Sequence, residues 1–175
     1  MKPRWYALYT RPKFEKKVEE RLKEVGFEVW LPLHTVVRQW SDRKKKMMVP
    51  LFNGYVFVRT EKKQLYHAVQ IDGVARTVGF DGEPAPIRDE QIEMIQKILI
   101  GPDAFEVKQT KFVKGDPVRV VDGPLKGNEG KWISWRGKKR VALEVEHLSH
   151  MLVVEIPAVY IEKSWSPGSQ SGKTE

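Results

Sequence analysis

The sequence predicts an α+β N-terminal domain, mainly an antiparallel sheet with three helices, followed by a small five-stranded β-barrel. Three observations predict it. Up to Ile100, segments of period two alternate with segments of helical spacing. Gly101 to Lys111 has no strong periodicity and contains Gly101-Pro102-Asp103, so it reads as a linker. From Phe112 the texture turns to short apolar strands at close intervals, as in a small barrel. The expected boundaries are 1–101 for the first domain, 102–111 for the linker, 112–163 for the barrel and 164–175 for a disordered Ser/Gly-rich tail.

Trp5 to Tyr9 is an apolar strand, after which Thr10 reads as a helix N-cap and Pro12 as part of the first turn. Phe14, Val18, Leu22 and Val25 recur at helical spacing, and Gly26 stops the helix. Phe27 to Leu33 reads as a strand. The polar excursion from Val36 to Val49, centred on Ser41-Asp42-Arg43-Lys44-Lys45-Lys46, reads as a hairpin with a mobile basic tip. Glu61 to Ile71 is a short helix, Gly73 to Phe80 a strand, Asp81-Gly82 a turn and Pro84-Ala85-Pro86 extended. Arg88-Asp89-Glu90 opens a third helix with Ile92, Ile95 and Leu99 inward. The barrel strands are expected at Val118–Val121, Gly130–Trp135, Val141–Val145, Leu152–Ile156 and Val159–Glu162.

The stretch Pro50-Leu51-Phe52-Asn53-Gly54-Tyr55-Val56-Phe57-Val58-Arg59 reads as one strand with no polar face. Alternation puts Tyr55 and Phe57 on one side, Val56 and Val58 on the other. Such a strand is either sandwiched inside a domain or keeps one side for a partner. The aromatic side suits a partner, because Phe and Tyr dominate interface energetics.

Composition narrows the function. In 175 residues, no apolar run approaches the roughly 18 residues of a membrane span and no signal-peptide core opens the chain, so a cytoplasmic, monomeric protein is expected. There is no cysteine, which excludes disulfides and thiolate chemistry. The net charge of +8 points to an anionic partner. Lys and Arg minus Asp and Glu is 19 − 13 over residues 1–100 and 12 − 10 over 101–175, so the first half carries the basic field. The histidines His34, His67, His147 and His150 are scattered, and no glycine-rich loop opens a helix. No enzyme, metal or cofactor is expected.

In the second half, Lys114-Gly115-Asp116-Pro117-Val118-Arg119-Val120 leads into Asp122-Gly123-Pro124-Leu125-Lys126-Gly127-Asn128-Glu129-Gly130, with glycines placed for turns and a bulge. This resembles the KOW motif of ribosomal proteins and transcription elongation factors. The first hundred residues resemble the N-terminal domain of the NusG family through Trp5-Tyr6, Phe14-Glu15 with Val18, Pro32, Phe52-Asn53-Gly54-Tyr55-Val56-Phe57-Val58, Val78-Gly79-Phe80 and Pro84-Ala85-Pro86-Ile87. These pieces occur in the family's order. Being compact and without insertions, the chain is similar to specialised RfaH-like and polysaccharide-locus antiterminators.

That resemblance implies a factor that binds the clamp helices of the largest RNA polymerase subunit and suppresses pausing or termination, at particular operons. It implies Tyr9, Phe52, Tyr55, Phe57 and Phe80 as polymerase-binding residues, with core filling as the competing role of the rings. It implies contact with non-template DNA through Arg11, Lys13, Lys16, Lys17 and Arg76, whose competing role is a solvated face. The tip Arg43-Lys44-Lys45-Lys46 is a further phosphate candidate. His67 stands where RfaH-like proteins meet the polymerase gate loop, but Ala68-Val69-Gln70 lacks their hydroxyls. Leu148 is the implied partner residue of the KOW domain, toward a small-subunit ribosomal protein, with a lid on the barrel as its competing role; where housekeeping members have an aromatic for the termination factor Rho, Leu148 weakens that contact. The alternatives are the housekeeping factor and an RNA-binding, ribosome-associated KOW protein. The nearly neutral second half argues against the latter.

Overall fold

The computed structural model describes residues 2–40, 42–101, 105–108, 115–148 and 150–164. They form two compact units, one built on Met1–Leu99 together with Glu146–Leu148, the other on Ile100–Val145 and the chain from Ser149 onward.

In the first unit, strand β1 (Arg4–Thr10) runs through Thr10 rather than ending before it. Thr10 is therefore no helix cap: its N–H donates to the Gly54 carbonyl at 2.8 Å. Helix α1 (Glu15–Glu24) begins five residues later, behind Phe14 and with no side-chain cap, so Pro12 precedes it. It ends as expected. Gly26 N–H bonds the Lys23 carbonyl and Phe27 N–H the Leu22 carbonyl, both at 3.0 Å, which closes the last turn with Gly26 at φ +89°.

Strand β2 (Glu28–Trp30) takes only part of the expected Phe27–Leu33 strand. Strands β3 (Leu33–Gln39) and β4 (Lys44–Pro50) form a separate two-stranded hairpin. Most of the basic run is thus strand and not tip, with Lys44, Lys45 and Lys46 opposite Gln39, Arg38 and Val37. The strand expected from Pro50 to Arg59 is likewise broken. Gly54, at φ +82°, lies in a turn, and only β5 (Tyr55–Thr60) joins the main sheet.

The expected second helix resolves into a 3-10 turn, Lys62–Gln64, and α2 (Leu65–Val69). Strands β6 (Val74–Thr77) and β7 (Gly79–Phe80) divide the next expected strand. Across the Asp81-Gly82 turn, β7 pairs with β8 (Glu83–Pro84). Asp81 at φ +49° and Gly82 at φ +80° have the left-handed backbone that a tight hairpin needs. Helix α3 (Asp89–Ile100) buries Ile92, Met94, Ile95 and Ile98.

The main sheet has the order β2-β5-β1-β6 with antiparallel pairing. On one face, Tyr6, Leu8, Val56 and Val58 pack with Val18 and Leu22 of α1 and with Leu65 and Ala68 of α2. A fully buried Val or Leu there contributes about 1.5–3 kcal/mol. Period two sends Ala7, Tyr9, Tyr55 and Phe57 to the opposite face, where Ala7 is registered with Phe57 and Tyr9 with Tyr55.

The second unit contains β9 (Phe105–Lys108), β10 (Asp116–Val120), β11 (Glu129–Trp135), β12 (Lys138–Glu144), β13 (Met151–Val154) and β14 (Ile161–Lys163). They form one antiparallel sheet in the order β14-β10-β11-β12-β13-β9. Two expectations change. The order is open and six-stranded, and among the described residues no pairing closes β9 on β14 into a barrel. The sixth strand comes from the segment expected to be linker. The reason is the fully buried β13, whose outer edge would leave peptide groups unpaired without β9. Ion pairs from Glu106 to Arg140 at 2.9 Å and Arg136 at 3.4 Å hold β9 in place. The rest of the expected linker apart from Gly101 and β9, and the expected tail beyond Ser164, lie outside the described residues.

Candidate functional site

The opposite face of the sheet sorts the five aromatic candidates. Tyr9 is 38% exposed and Tyr55 half-buried; their rings meet edge to face at 5.3 Å. The Arg76 guanidinium lies 5.5 Å from the Tyr9 ring centroid, within cation–π reach. Burial, then the neighbouring Tyr9, pushes the Tyr55 phenol above its ordinary range, while Arg76 opposes the shift. Tyr9, Tyr55 and Arg76 thus make one surface, aromatic with a cationic edge.

Phe52 and Phe57 do not join that surface, which corrects their reading as docking residues. They are 1% and 0% exposed, with ring centroids 6.1 Å apart. Phe57 also meets Trp30 at 5.6 Å, and Trp30 meets Trp5 at 6.5 Å, so a row of half-buried tryptophans continues from the buried Phe57. The broken strand is the cause, since the turn before β5 folds Phe52 back onto Phe57 instead of extending it along the sheet. Phe80 is 74% exposed on the β7–β8 hairpin.

The Tyr9–Tyr55 surface is held from behind by two residues to which the sequence alone assigns no role. Gly54 N–H donates to Glu15 Oε1 at 2.8 Å, in a buried bond that ties the first turn of α1 to the turn before β5. A side chain at Gly54 would start 3.2 Å from the Tyr9 ring, so its absence lets that ring lie against the turn. Glu15 lies three and seven residues before Val18 and Leu22, on the inward stripe of α1. That spacing was the available signal.

The basic candidates divide. Arg11 pairs with Asp72 at 3.2 Å, and Arg21 pairs with the same carboxylate at 2.7 Å. Asp72 is placed there by Gly73, whose carbonyl accepts from Arg11 N–H at 2.8 Å. Gly73 has φ +101°, and a Cβ on it would lie 2.8 Å from Val18 and 2.9 Å from Phe14. Arg11 and Lys17 flank the Phe14 ring at 5.8 and 5.2 Å. Lys13 is exposed with φ +65°, and Lys16 donates to the Met48 carbonyl at 3.2 Å. The group therefore surrounds the N-terminal end of α1, with Arg76 separate on the tyrosine surface.

Leu148 is 1% exposed and offers no surface, a correction to its reading as a partner residue: an apolar side chain in that loop gains more from burial than from water. His67 is exposed beside Tyr66, their rings 5.7 Å apart. His147 lies in a turn at φ +61°, not in a strand. Among the described residues no cluster of His, Asp and Glu has the make-up of a metal site, and no helix is long and apolar enough to cross a membrane.

A family model described as "Transcription termination factor nusG" matches residues 3–96, more than half of the 175-residue chain and the whole tyrosine surface. The chain belongs to the NusG family. Members of this family are non-enzymatic transcription factors involved in termination and antitermination. The transcription termination/antitermination protein NusG of Pseudomonas aeruginosa is 29% identical, covering 93% of this chain and 99% of that protein. That of Vibrio cholerae is also 29% identical, over 93% and 96%. A solved structure of Thermotoga maritima NusG shares the fold, with a TM-score of 0.55 and 24% identity over 93% of this chain and 98% of that one.

Proposed function

We propose that this NusG-family chain is a transcription antitermination and elongation factor that docks on the clamp helices of the largest RNA polymerase subunit through Tyr9 and Tyr55. The observation that carries the reading is the tyrosine pair, Tyr9 exposed and Tyr55 half-buried, with Arg76 at its edge, on the sheet face where Phe57 is interior. A bound clamp would lower the population of an open, pause-prone polymerase, which is a shift of populations and needs no catalysis.

The basic rim at α1 would then meet exposed non-template DNA, with Lys13, Lys16 and Lys17 as the cations not committed to Asp72. The second unit is the proposed attachment point for a small-subunit ribosomal protein. Action at particular operons, as opposed to all of them, is part of the proposal.

The experiment is capture of core polymerase by the full chain, its Tyr9→Ala/Tyr55→Ala variant and its Phe80→Ala variant, with circular dichroism as the folding control. Loss of capture by the folded double variant is expected. Full capture by it would overturn the docking surface. Chromatin occupancy at one or a few operons supports the specialised role, and genome-wide occupancy refutes it.

A further inference from the structure

The β3–β4 hairpin carries a charge arrangement that its own stability does not favour. Arg38 and Lys45 sit directly across from each other in the register, and like charges at facing positions destabilise a β-ladder. Arg43, Lys44 and Lys46 add to them, and Asp42 is the only acid between Leu33 and Pro50. Among the described residues none of these five cations has an ion-pair partner, and all are exposed.

We propose that this hairpin is a second nucleic-acid site, inserted into the major groove of duplex DNA with its cations on the two phosphate walls. This is independent of the polymerase reading. The strand period puts Lys44 and Lys46 on one face and Arg38 and Lys45 on the other. A ribbon cationic on both faces fits between two rows of phosphate; a single strand would engage only one face. With side chains the ribbon is about 10 Å thick, and the B-DNA major groove is about 12 Å wide and 8.5 Å deep. At about 3.4 Å per residue, that depth takes in two to three residues of each strand behind the tip. Those positions are the ones occupied by Arg38, Lys44, Lys45 and Lys46. The deep, narrow major groove of an RNA duplex does not admit such a ribbon.

At the tip, Trp40 N–H bonds the Arg43 carbonyl at 2.8 Å, and the Trp40 side chain is 56% exposed. In a groove it would reach the base edges, an apolar contact for a thymine methyl. At the base of the hairpin, the bond from Lys16 to Met48 joins the ribbon to α1.

The test is fluorescence anisotropy of the full chain with a short duplex DNA of arbitrary sequence, the same single strand, and the matching RNA duplex, across a salt series. Tightest binding to duplex DNA is expected. Lys44→Ala/Lys45→Ala/Lys46→Ala should lower the slope of log K against log salt by about 2–3, at about 0.9 for each phosphate no longer neutralised. Trp40→Ala should weaken binding with the slope unchanged. A control that removes Lys126, Lys139 and Lys163 takes away the same charge elsewhere and should leave the slope nearly intact. An equal drop in the control, or an unchanged slope in the hairpin variant, overturns the site. A loss on substituting the hairpin lysines that is as large for single-stranded DNA or for the RNA duplex as for duplex DNA overturns the groove geometry.

Discussion

Glu15 and Gly54 are joined by a buried 2.8 Å hydrogen bond, carboxylate to backbone N–H, that fixes the start of α1 against the turn leading into β5. Thr10 N–H donates to the carbonyl of the same glycine, so one turn anchors both the end of β1 and the helix after it. Tyr9 and Tyr55 stand on either side of this junction.

Glu15→Ala leaves a buried amide without its acceptor and should cost about 1.5–3 kcal/mol, the range for a bond to a charged group. Glu15→Gln keeps an acceptor oxygen and should lose less. Urea unfolding of both variants checks this, and equal losses would argue that packing and not the bond is responsible.

Gly73→Ala combines a left-handed backbone with contact against Val18 and Phe14 and should destabilise by about 2–4 kcal/mol. Gly26→Ala has a similar φ but open space around it, so about 1 kcal/mol is expected. Thermal melts of the pair separate steric crowding from backbone strain.

Phe52→Ala and Phe57→Ala should each cost about 3–5 kcal/mol because both rings are buried. Tyr9→Ala should cost much less stability while removing polymerase capture. If denaturation curves showed Phe52→Ala as stable as the parent, its assignment to the interior would be wrong.

Burial holds the His150 imidazole below its ordinary value of 6.5. The folded state then takes up a proton less readily than the unfolded chain, so this contribution to stability is complete above that value and is lost as pH falls through the depressed folded value. His34 shifts in the same direction for the same reason. Urea midpoints measured from neutral to mildly acidic pH should fall, and His150→Gln should flatten part of the decline. An NMR titration in which His150 protonates at or above its ordinary value would contradict the sign.

Much of the secondary structure is local and was legible in the sequence. Val18 and Leu22 at helical spacing, Gly26 after them and Asp81-Gly82 between short strands each carry their own reason. The breaks were not read from the sequence: the apolar run continues on both sides of Gly54, and its left-handed backbone and the bond to Glu15 show that the chain turns there. Likewise Phe105–Lys108 alternates apolar and polar over only four residues, a run too short to stand out from a linker, and becomes a strand because β13 has an edge to pair.

Residue type and spacing were enough for the resemblance to the family, the basic first half and the aromatic character of the face containing Tyr55. Which rings remain at the surface is a matter of tertiary packing, because burial depends on neighbours distant in the chain. Trp30 and Phe52 cover Phe57, while Tyr9, lying against Gly54, stays exposed with Tyr55 and Arg76 around its ring.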